Sequence, residues 1–173
     1  KDNVVLIDEA YVDFGGTSCY ELIKKYDNLI VCRTFSKAYS LAGARLGYCF
    51  ANEELIKDLE KIKYSTNPYN VNSMTLAQGV GMLEDDEYVQ NNCKSIIENR
   101  NYTVTELEKL GFTMPTSSAN FVFAKHERVG GKEIYLKLKE KGDYFVVIEI
   151  KDKAGSKLVP NGITIGQAAR GEY

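Results

Sequence analysis

A lysine with hydroxyl-bearing neighbours stands just after an apolar run that predicts a β-strand. Lys37 follows Thr34 and Ser36, and Arg45 comes eight residues later. An amine condenses with an aldehyde only when it is deprotonated, and a nearby cation such as Arg45 favours that form. The guanidinium fork of Arg45 and the two hydroxyls also suit phosphate oxygens. The pattern therefore indicates Schiff-base chemistry on a phosphorylated aldehyde cofactor, with Lys37 as the nucleophile.

Asp8 and Tyr11 form a second candidate pair, directly after the first apolar run. A carboxylate at a strand end can pair with a protonated pyridine nitrogen, and Tyr11 can donate a hydrogen bond to a ring oxygen. The alternative is that Asp8 caps a turn and Tyr11 packs at the sheet edge. Likewise, Lys37 could be a solvated lysine and Arg45 an ion-pair residue. The combination of Asp8 with Lys37 one strand later favours the cofactor interpretation.

These residues must be positioned by an α/β fold, because short apolar runs alternate with helical patterns along the chain. Such alternation is typical of a mostly parallel sheet covered by helices. The predicted strands are 4–7, 29–32 and 46–50, and the first two are apolar enough to be buried on both faces. Parallel strands end at one edge of the sheet, where open α/β sheets bind ligands. Asp8 and Lys37 are therefore expected at the same edge.

The sequence pattern in the middle of the chain predicts three helices. Asn52 can cap the first, which carries acidic residues in its first turn and lysines near its end. A loop is expected over 64–72 and a second helix over 73–83. A long third helix should run over 86–110, with Gly111 as its left-handed cap.

The carboxyl-terminal part has the pattern of a small α+β domain. Its predicted elements are a strand over 120–125, a helix over 131–141, and strands over 144–150 and 162–165. We expect three parts in the chain: the second half of a cofactor-binding large domain over 1–85, a connecting helix over 86–110, and a small incomplete domain over 111–173.

Composition argues against several other classes of protein. The net charge of −2 gives no electrostatic reason to expect a nucleic-acid or membrane partner, and no apolar run reaches membrane-spanning length. The four cysteines lack C-x-x-C spacing, so we expect them to be reduced and buried, as in a cytoplasmic protein. No cluster of histidine and cysteine suggests a metal site, and His126 is expected in a surface turn.

Two stretches of the chain resemble the histidinol-phosphate aminotransferase family. Residues 7–14 read Ile-Asp-Glu-Ala-Tyr-Val-Asp-Phe, and within residues 28–48 the lysine is followed by Ala-Tyr-Ser-Leu-Ala-Gly-Ala-Arg. Shorter matches occur at 68–73 and 117–121. The resemblance extends over residues 3–142, and it is most specific before residue 50.

The resemblance implies a fold-type I enzyme that uses pyridoxal 5'-phosphate and acts on small amino-acid and phosphate substrates. Lys37 would form the Schiff base with the cofactor, Asp8 would bind the pyridine nitrogen, and Tyr11 would reach the ring hydroxyl. The cofactor phosphate would lie on Thr34, Ser36 and Arg45. The implied reaction of histidine biosynthesis interconverts histidinol phosphate plus 2-oxoglutarate with imidazole-acetol phosphate plus glutamate. The family also implies a homodimer with sites at the subunit interface.

The chain departs from the family pattern in its carboxyl-terminal part. Two substrate-binding arginines that the family usually carries have no counterpart near Val146 and Gly162, so the resemblance assigns no substrate residue there. The matched region corresponds to the second half of an aminotransferase. An isolated half is expected to leave a sheet edge and apolar surface uncovered.

Three functions stay open from the sequence. The first is an aminotransferase of the histidinol-phosphate type, which the density of motifs around Lys37 favours. The second is a related pyridoxal-phosphate enzyme, such as the threonine-phosphate decarboxylase of cobalamin synthesis. The third is a non-catalytic aminotransferase fragment that keeps the fold without the activity.

Overall fold

The computed structural model describes residues 3–140 and the backbone of two short strands, 144–145 and 166–167. The chain divides into two compact units, Lys1–Ile97 and Glu98–Tyr173. The boundary between them falls within the long third helix. The three-part division of the chain expected from the sequence stays a prediction.

A three-stranded mixed sheet forms the base of the first unit. β1 (Val5–Asp8) pairs in parallel with β2 (Leu29–Thr34), and β2 pairs antiparallel with β3 (Gly47–Phe50). β2 is the central strand, and its first three residues are buried. The α/β class predicted from the sequence is confirmed, with one parallel and one antiparallel pair in this sheet.

β1 is exposed, so the prediction that both of its faces are buried was wrong. Val5 and Leu6 are 47% and 60% exposed, whereas Val31 in β2 is fully buried. The two apolar runs look alike in sequence, but β1 lies at the edge of the described sheet and bonds to a neighbour on one side only. Burial depends on what covers a strand, and the composition of the strand itself does not encode that.

The next two helices, α1 (Glu53–Thr66) and α2 (Ser73–Glu84), each begin at an asparagine cap. The Oδ1 atom of Asn52 accepts a hydrogen bond from the backbone N–H of Leu55 at 2.9 Å. The Oδ1 atom of Asn72 accepts one from Thr75, also at 2.9 Å. These carboxamides bind N–H groups that have no carbonyl partner within the helix. The predicted cap at Asn52 is therefore confirmed.

The loop between α1 and α2 is shorter than predicted, because residues 64–66 continue α1 and only 67–72 lie outside the helices. The hydroxyl of Ser65 donates to the carbonyl of Lys61, and the hydroxyl of Thr66 donates to that of Ile62. Serine and threonine can bond to the preceding helical turn in this way, so their presence does not end the helix at residue 63.

The third helix, α3 (Asp86–Lys109), contributes Val89 and Cys93 to the core of the first unit. These two residues form a buried cluster with Phe14 and Ala38, and partly buried residues pack around it: Tyr11, Tyr39, Met82, Ile96 and Ile97. The first half of α3 is thus packed against both segments that carry the candidate site residues.

The described residues of the second unit form a further helix, α4 (Gly131–Glu140), and two short antiparallel strand pairs. β4 (Phe112–Thr113) pairs with β5 (Lys125–His126), and β6 (Tyr144–Phe145) pairs with β7 (Gly166–Gln167). Gly111, just after α3, has a φ of 85° and forms the predicted left-handed cap. The predicted helix at 131 is confirmed as well.

The predicted strand over 120–125 is wrong, because only Lys125 and His126 pair as a strand. The Oγ atom of Ser117 donates to the carbonyl of Phe121 at 2.8 Å and accepts from the N–H of Ala119. A serine that bonds to its local backbone offers those groups an alternative to a sheet ladder.

The prediction that His126 lies in a surface turn is wrong, because His126 is a half-buried residue of β5 that bonds to the turn that follows. Its Nδ1 atom accepts hydrogen bonds from the backbone N–H groups of Arg128 and Val129, both at 3.1 Å. Several predictions lie outside the described residues. They concern residue 141, the strand residues 146–150 and 162–165, and the absence of arginines near Val146 and Gly162. Within the described part, no helix is long and apolar enough to span a bilayer.

Candidate active site

Lys37 lies in the turn after β2, between two buried residues of the same segment. Phe35 is 4% exposed and Ala38 is fully buried. The Phe35 ring packs against the rings of Tyr39 and Tyr48, with centroids 4.8 and 5.3 Å away. Packing on both sides therefore fixes the backbone that carries the half-buried Lys37 side chain.

The structure brings Lys37 and Tyr11 together, although the two residues follow different strands. The Nζ atom of Lys37 lies 5.5 Å from the centroid of the Tyr11 ring, within the range of a cation–π contact. Tyr11 also packs against the core cluster around Phe14. The two segments that the sequence singles out therefore meet at one place.

Asp8 ends β1 at the edge of the sheet where the Lys37 segment begins. Its Cα is the register partner of Cys32, two residues before the end of β2. The side chain is exposed, and its Oδ1 atom accepts a hydrogen bond from the N–H of Ala10 at 3.0 Å. Asp8 thus caps a turn, as the alternative interpretation has it, and its role as a partner of a ring nitrogen stays a prediction.

Thr34 and Ser36 lie next to each other at the end of β2. The backbone N–H of Ser36 donates to the Oγ1 atom of Thr34 at 3.0 Å. This bond folds the chain tightly just before Lys37. Both residues are half-buried.

Arg45 lies at the far end of the segment that joins β2 to β3. Its side chain is exposed, and its Nη1 atom donates to the carbonyl of Ala42 at 3.1 Å. Its backbone has a φ of 53°, which is left-handed and strained for a residue with a side chain. Ser40 on the same segment has a φ of 57°. The segment between β2 and β3 is thus held in an unusual backbone shape that places Arg45 at the surface.

An ion pair next to these residues, between the buried Glu9 and the half-buried Arg33, was not predicted from the sequence. Glu9 is 6% exposed, and its Oε2 atom lies 3.2 Å from both Nε and Nη2 of Arg33. Ser18 donates its hydroxyl to Glu9 at 2.7 Å, and the N–H of Cys19 donates to the other carboxylate oxygen. A second carboxylate, Asp13, lies 3.7 Å from Arg33. This network joins the residue after Asp8 to the residue before Thr34.

The network keeps Glu9 ionised. Burial alone would raise the pKa of Glu9, but the hydrogen bonds from Cys19, Ser18 and Arg33 outweigh burial, so that the pKa lies below its ordinary value. Nearby, burial and a hydrogen bond with Tyr48 raise the pKa of Tyr39 well above its ordinary value. The first group is therefore charged and the second neutral at neutral pH.

A cleft of about 340 Å³ lies beside this network and not at Lys37. Its lining includes Asp13, Ser18, Arg33 and Tyr39 together with residues of the first half of α3. Among the described residues, no group of three or more histidine, cysteine or carboxylate side chains is arranged to hold a metal ion.

The family model described as "Aminotransferase class I and II" matches residues 1–150. This chain belongs to that family. The donor set of this class I and II aminotransferase chain fits pyridoxal phosphate: an amine, two hydroxyls and a guanidinium lie on one segment, and a carboxylate lies at the end of the neighbouring parallel strand. Which residues hold the cofactor remains a proposal.

The aminotransferase chain is similar to curated histidinol-phosphate aminotransferases. It is 46% identical over 143 residues to the one from Brachyspira hyodysenteriae (strain ATCC 49526 / WA1), a match that covers 82% of this chain and 40% of the relative. The chain therefore spans about 40% of the length of the curated relatives that it matches.

Solved structures show the same fold. The histidinol-phosphate aminotransferase from Sinorhizobium meliloti, solved in complex with pyridoxal-5'-phosphate, is 27% identical with a TM-score of 0.65, over 72% of this chain and 34% of that one. The L-threonine-O-3-phosphate decarboxylase from Porphyromonas gingivalis is 21% identical with a TM-score of 0.71, over 95% of this chain and 50% of that one. The second likeness concerns the fold alone.

Proposed function

We propose that this chain carries the lysine-bearing part of a pyridoxal-phosphate-dependent histidinol-phosphate aminotransferase. The reaction would convert histidinol phosphate and 2-oxoglutarate to imidazole-acetol phosphate and glutamate. The observation that carries the proposal is the contact between Lys37 and Tyr11, because it joins the two segments whose residue types suit the cofactor. The similarity to histidinol-phosphate aminotransferases supports the choice of substrate.

Each candidate residue has a role that follows from its chemistry. Lys37 would anchor the cofactor through Nζ and, once released by the substrate amine, would carry a proton on the same atom. Asp8 would hold the protonated ring nitrogen, and Tyr11 would donate a hydrogen bond to the ring oxygen. The phosphate would be bound by Thr34, Ser36 and Arg45.

Bound pyridoxal phosphate would supply an electron sink for the negative charge that develops on the substrate carbon. The chain's own contribution is position. Ala38 and Phe35 hold the segment of Lys37 by burial, and Asn92 on α3 donates from Nδ2 to the carbonyl of Ala38 at 3.2 Å. A fixed lysine can return a proton to one face of the substrate.

The first experiment tests Lys37 as the anchor. The purified chain is mixed with pyridoxal phosphate, the visible spectrum is recorded, and the product is reduced with borohydride and mapped by peptide mass spectrometry. We expect a band and a covalent adduct at Lys37, both lost in Lys37→Ala. Lys57→Ala is the matched control, since Lys57 is an exposed lysine on α1. If pyridoxal phosphate forms adducts with exposed lysines as readily as with Lys37, only the third function, a non-catalytic fragment, would remain.

Acid should weaken the same band, because only the deprotonated amine condenses with the aldehyde. A band of constant intensity from acid to neutral pH would contradict the assignment of Lys37. The measurement is the intensity of the visible band of the loaded chain, recorded at a series of pH values.

A second experiment tests substrate choice. Histidinol phosphate, glutamate and threonine phosphate are added separately to the loaded protein, and the shift of the band is followed. We expect the first two to shift it. A response to threonine phosphate alone, with release of carbon dioxide, would instead support the decarboxylase alternative.

The assembly that we propose for the full-length enzyme is a cytoplasmic homodimer.

A further inference from the structure

Two cysteines stand directly opposite each other on the antiparallel strands that enclose the Lys37 segment. Cys32 on β2 is the register partner of Cys49 on β3. Both thiols are free, and both residues are half-buried. Residues directly opposite each other in an antiparallel pair project from the same face of the sheet, so the two side chains are neighbours.

The hydrogen bonds show which kind of cross-strand pair this is. The N–H of Phe35 donates to the carbonyl of Leu46 at 3.0 Å, which marks that pair as hydrogen-bonded. Hydrogen-bonded and non-hydrogen-bonded pairs alternate, so Cys32 and Cys49, three positions further along, form a non-hydrogen-bonded pair. Consistent with this, the carbonyl of Cys32 accepts from the N–H of Glu9 and so is directed towards β1.

This geometry suits a disulfide. Cα atoms of a non-hydrogen-bonded antiparallel pair lie about 4.5 Å apart, and disulfides span Cα distances of roughly 4.4–6.8 Å. Burial raises the pKa of the Cys32 thiol, and Cys49 and Asp8 raise it further. The raised pKa lowers the thiolate fraction at neutral pH, so the reaction that forms the disulfide should be faster at alkaline pH. No large backbone movement is needed to join the two sulfur atoms.

We propose that Cys32 and Cys49 are an oxidative modification site, which peroxides convert to an intrachain disulfide that closes the base of the Lys37 segment. Thr34, Ser36, Lys37 and Arg45 all lie between the two cysteines. The bond would therefore enclose four of the six candidate cofactor residues in one covalent loop.

The chemistry is a two-electron oxidation of the thiols by a peroxide. One thiolate attacks a peroxide oxygen, which gives a sulfenic acid and releases water or the corresponding alcohol. The other thiol attacks the sulfenic sulfur, the S–S bond forms, and a water molecule leaves. Two thiol protons and two electrons are transferred to the peroxide, and a dithiol reductant reverses the change.

The test uses the reduced full chain treated with hydrogen peroxide, blocked with N-ethylmaleimide, and digested for mass spectrometry. We expect a peptide pair joined through Cys32 and Cys49, with the loss of two hydrogen atoms and about tenfold excess over any other cysteine pair, because the fold raises the local concentration of the partner thiol. Cys49→Ser should abolish the link. Cys19→Ser, which alters another half-buried cysteine, should leave it unchanged.

The same oxidation in concentrated urea shows whether the fold is responsible. In an unfolded chain the shorter separation between Cys19 and Cys32 favours that pair over Cys32 and Cys49. We therefore expect Cys32 to pair mainly with Cys49 in the folded chain and mainly with Cys19 in urea. The proposal is overturned if the native chain links other cysteines, if it forms only sulfinic acids, or if its pairing is the same in urea.

Discussion

The ion pair between Glu9 and Arg33 differs in kind from the ion pairs on the helices. Glu9 and Arg33 are far apart in sequence, and their side chains are 5% and 18% exposed. Glu53 and Lys57 on α1 are one helical turn apart and are 81% and 60% exposed. The first pair connects two strands at the candidate site, whereas the second connects neighbours that the helix already holds together.

This difference shows where charge contributes to the structure of the protein. An exposed ion pair is screened by water, and its formation costs side-chain entropy, so its net contribution to stability is small. A buried pair is costly to form, but removing one partner leaves an uncompensated charge in a poorly solvated place. Only the buried pair should therefore respond strongly to mutation.

The largest effect is expected from Arg33→Met, which leaves the carboxylate of Glu9 without its cation. We expect the free energy of unfolding to fall by about 3 kcal/mol, as is usual for breaking one side of a buried ion pair. Urea unfolding followed by circular dichroism measures it. Arg33→Lys is the control and should retain part of the stability. A loss as small as that of an exposed pair would show that the network is not a structural link.

Acid should weaken the same network. The pKa of Glu9 in the folded chain lies below its ordinary value of 4.5, so the stabilisation is fully present above that pH and is lost as the pH falls through the lower, folded value. We expect Glu9→Gln to flatten the fall in stability below about pH 4.5. Glu53→Gln should leave the slope unchanged. Parallel slopes for all three proteins would contradict the assignment.

Helix α2 offers a matched pair of glycines for a similar comparison of buried and exposed positions. A Cβ atom at Gly79 would lie 2.5 Å from Cδ2 of Leu46, whereas one at Gly81 meets no described neighbour within 4 Å. We expect Gly79→Ala to leave the chain about 1 kcal/mol less stable than Gly81→Ala does, because overpacking against Leu46 offsets the helix propensity that both alanines gain. Gly81→Ala should stabilise it by about 0.5–1 kcal/mol, because alanine favours helix. Thermal unfolding of both variants measures the difference, and equal shifts would contradict it.

The smallest effect is expected at the exposed pair. Lys57→Ala should change the free energy of unfolding by no more than about 0.5 kcal/mol. Added salt should reduce the difference further by screening. Urea unfolding in low and high salt gives both values. A loss comparable to that of Arg33→Met would remove the distinction between the two kinds of ion pair.

Features that depend on neighbouring residues in sequence could be predicted well. The cap at Asn52 and the left-handed Gly111 follow from local hydrogen bonding and backbone freedom, and both are confirmed. Two predictions were wrong: that β1 is buried on both faces, and that residues 120–125 form a strand. The first depends on what covers the sheet, and the second was decided by the side chain of Ser117.

The candidate site shows the same limit. Lys37 and Asp8 could be named because their residue types suit one cofactor, although their roles stay predictions. The ion pair of Glu9 and Arg33 could not be predicted, because their contact depends on the register of two strands. The available signal was two opposite charges, each next to a candidate residue. Asn92 gave no signal, since an asparagine on a helix is usually exposed.

The central position of β2 also has a consequence for the dynamics of the molecule. Within the described sheet, β2 is hydrogen-bonded on both sides, and its first residues are buried. Amides of such a strand exchange with deuterium only when larger parts of the fold open. Within the described residues of this sheet, we expect protection to be highest in β2 and to fall towards β1. The segment of Lys37 would then extend directly from the most slowly opening part of the described sheet.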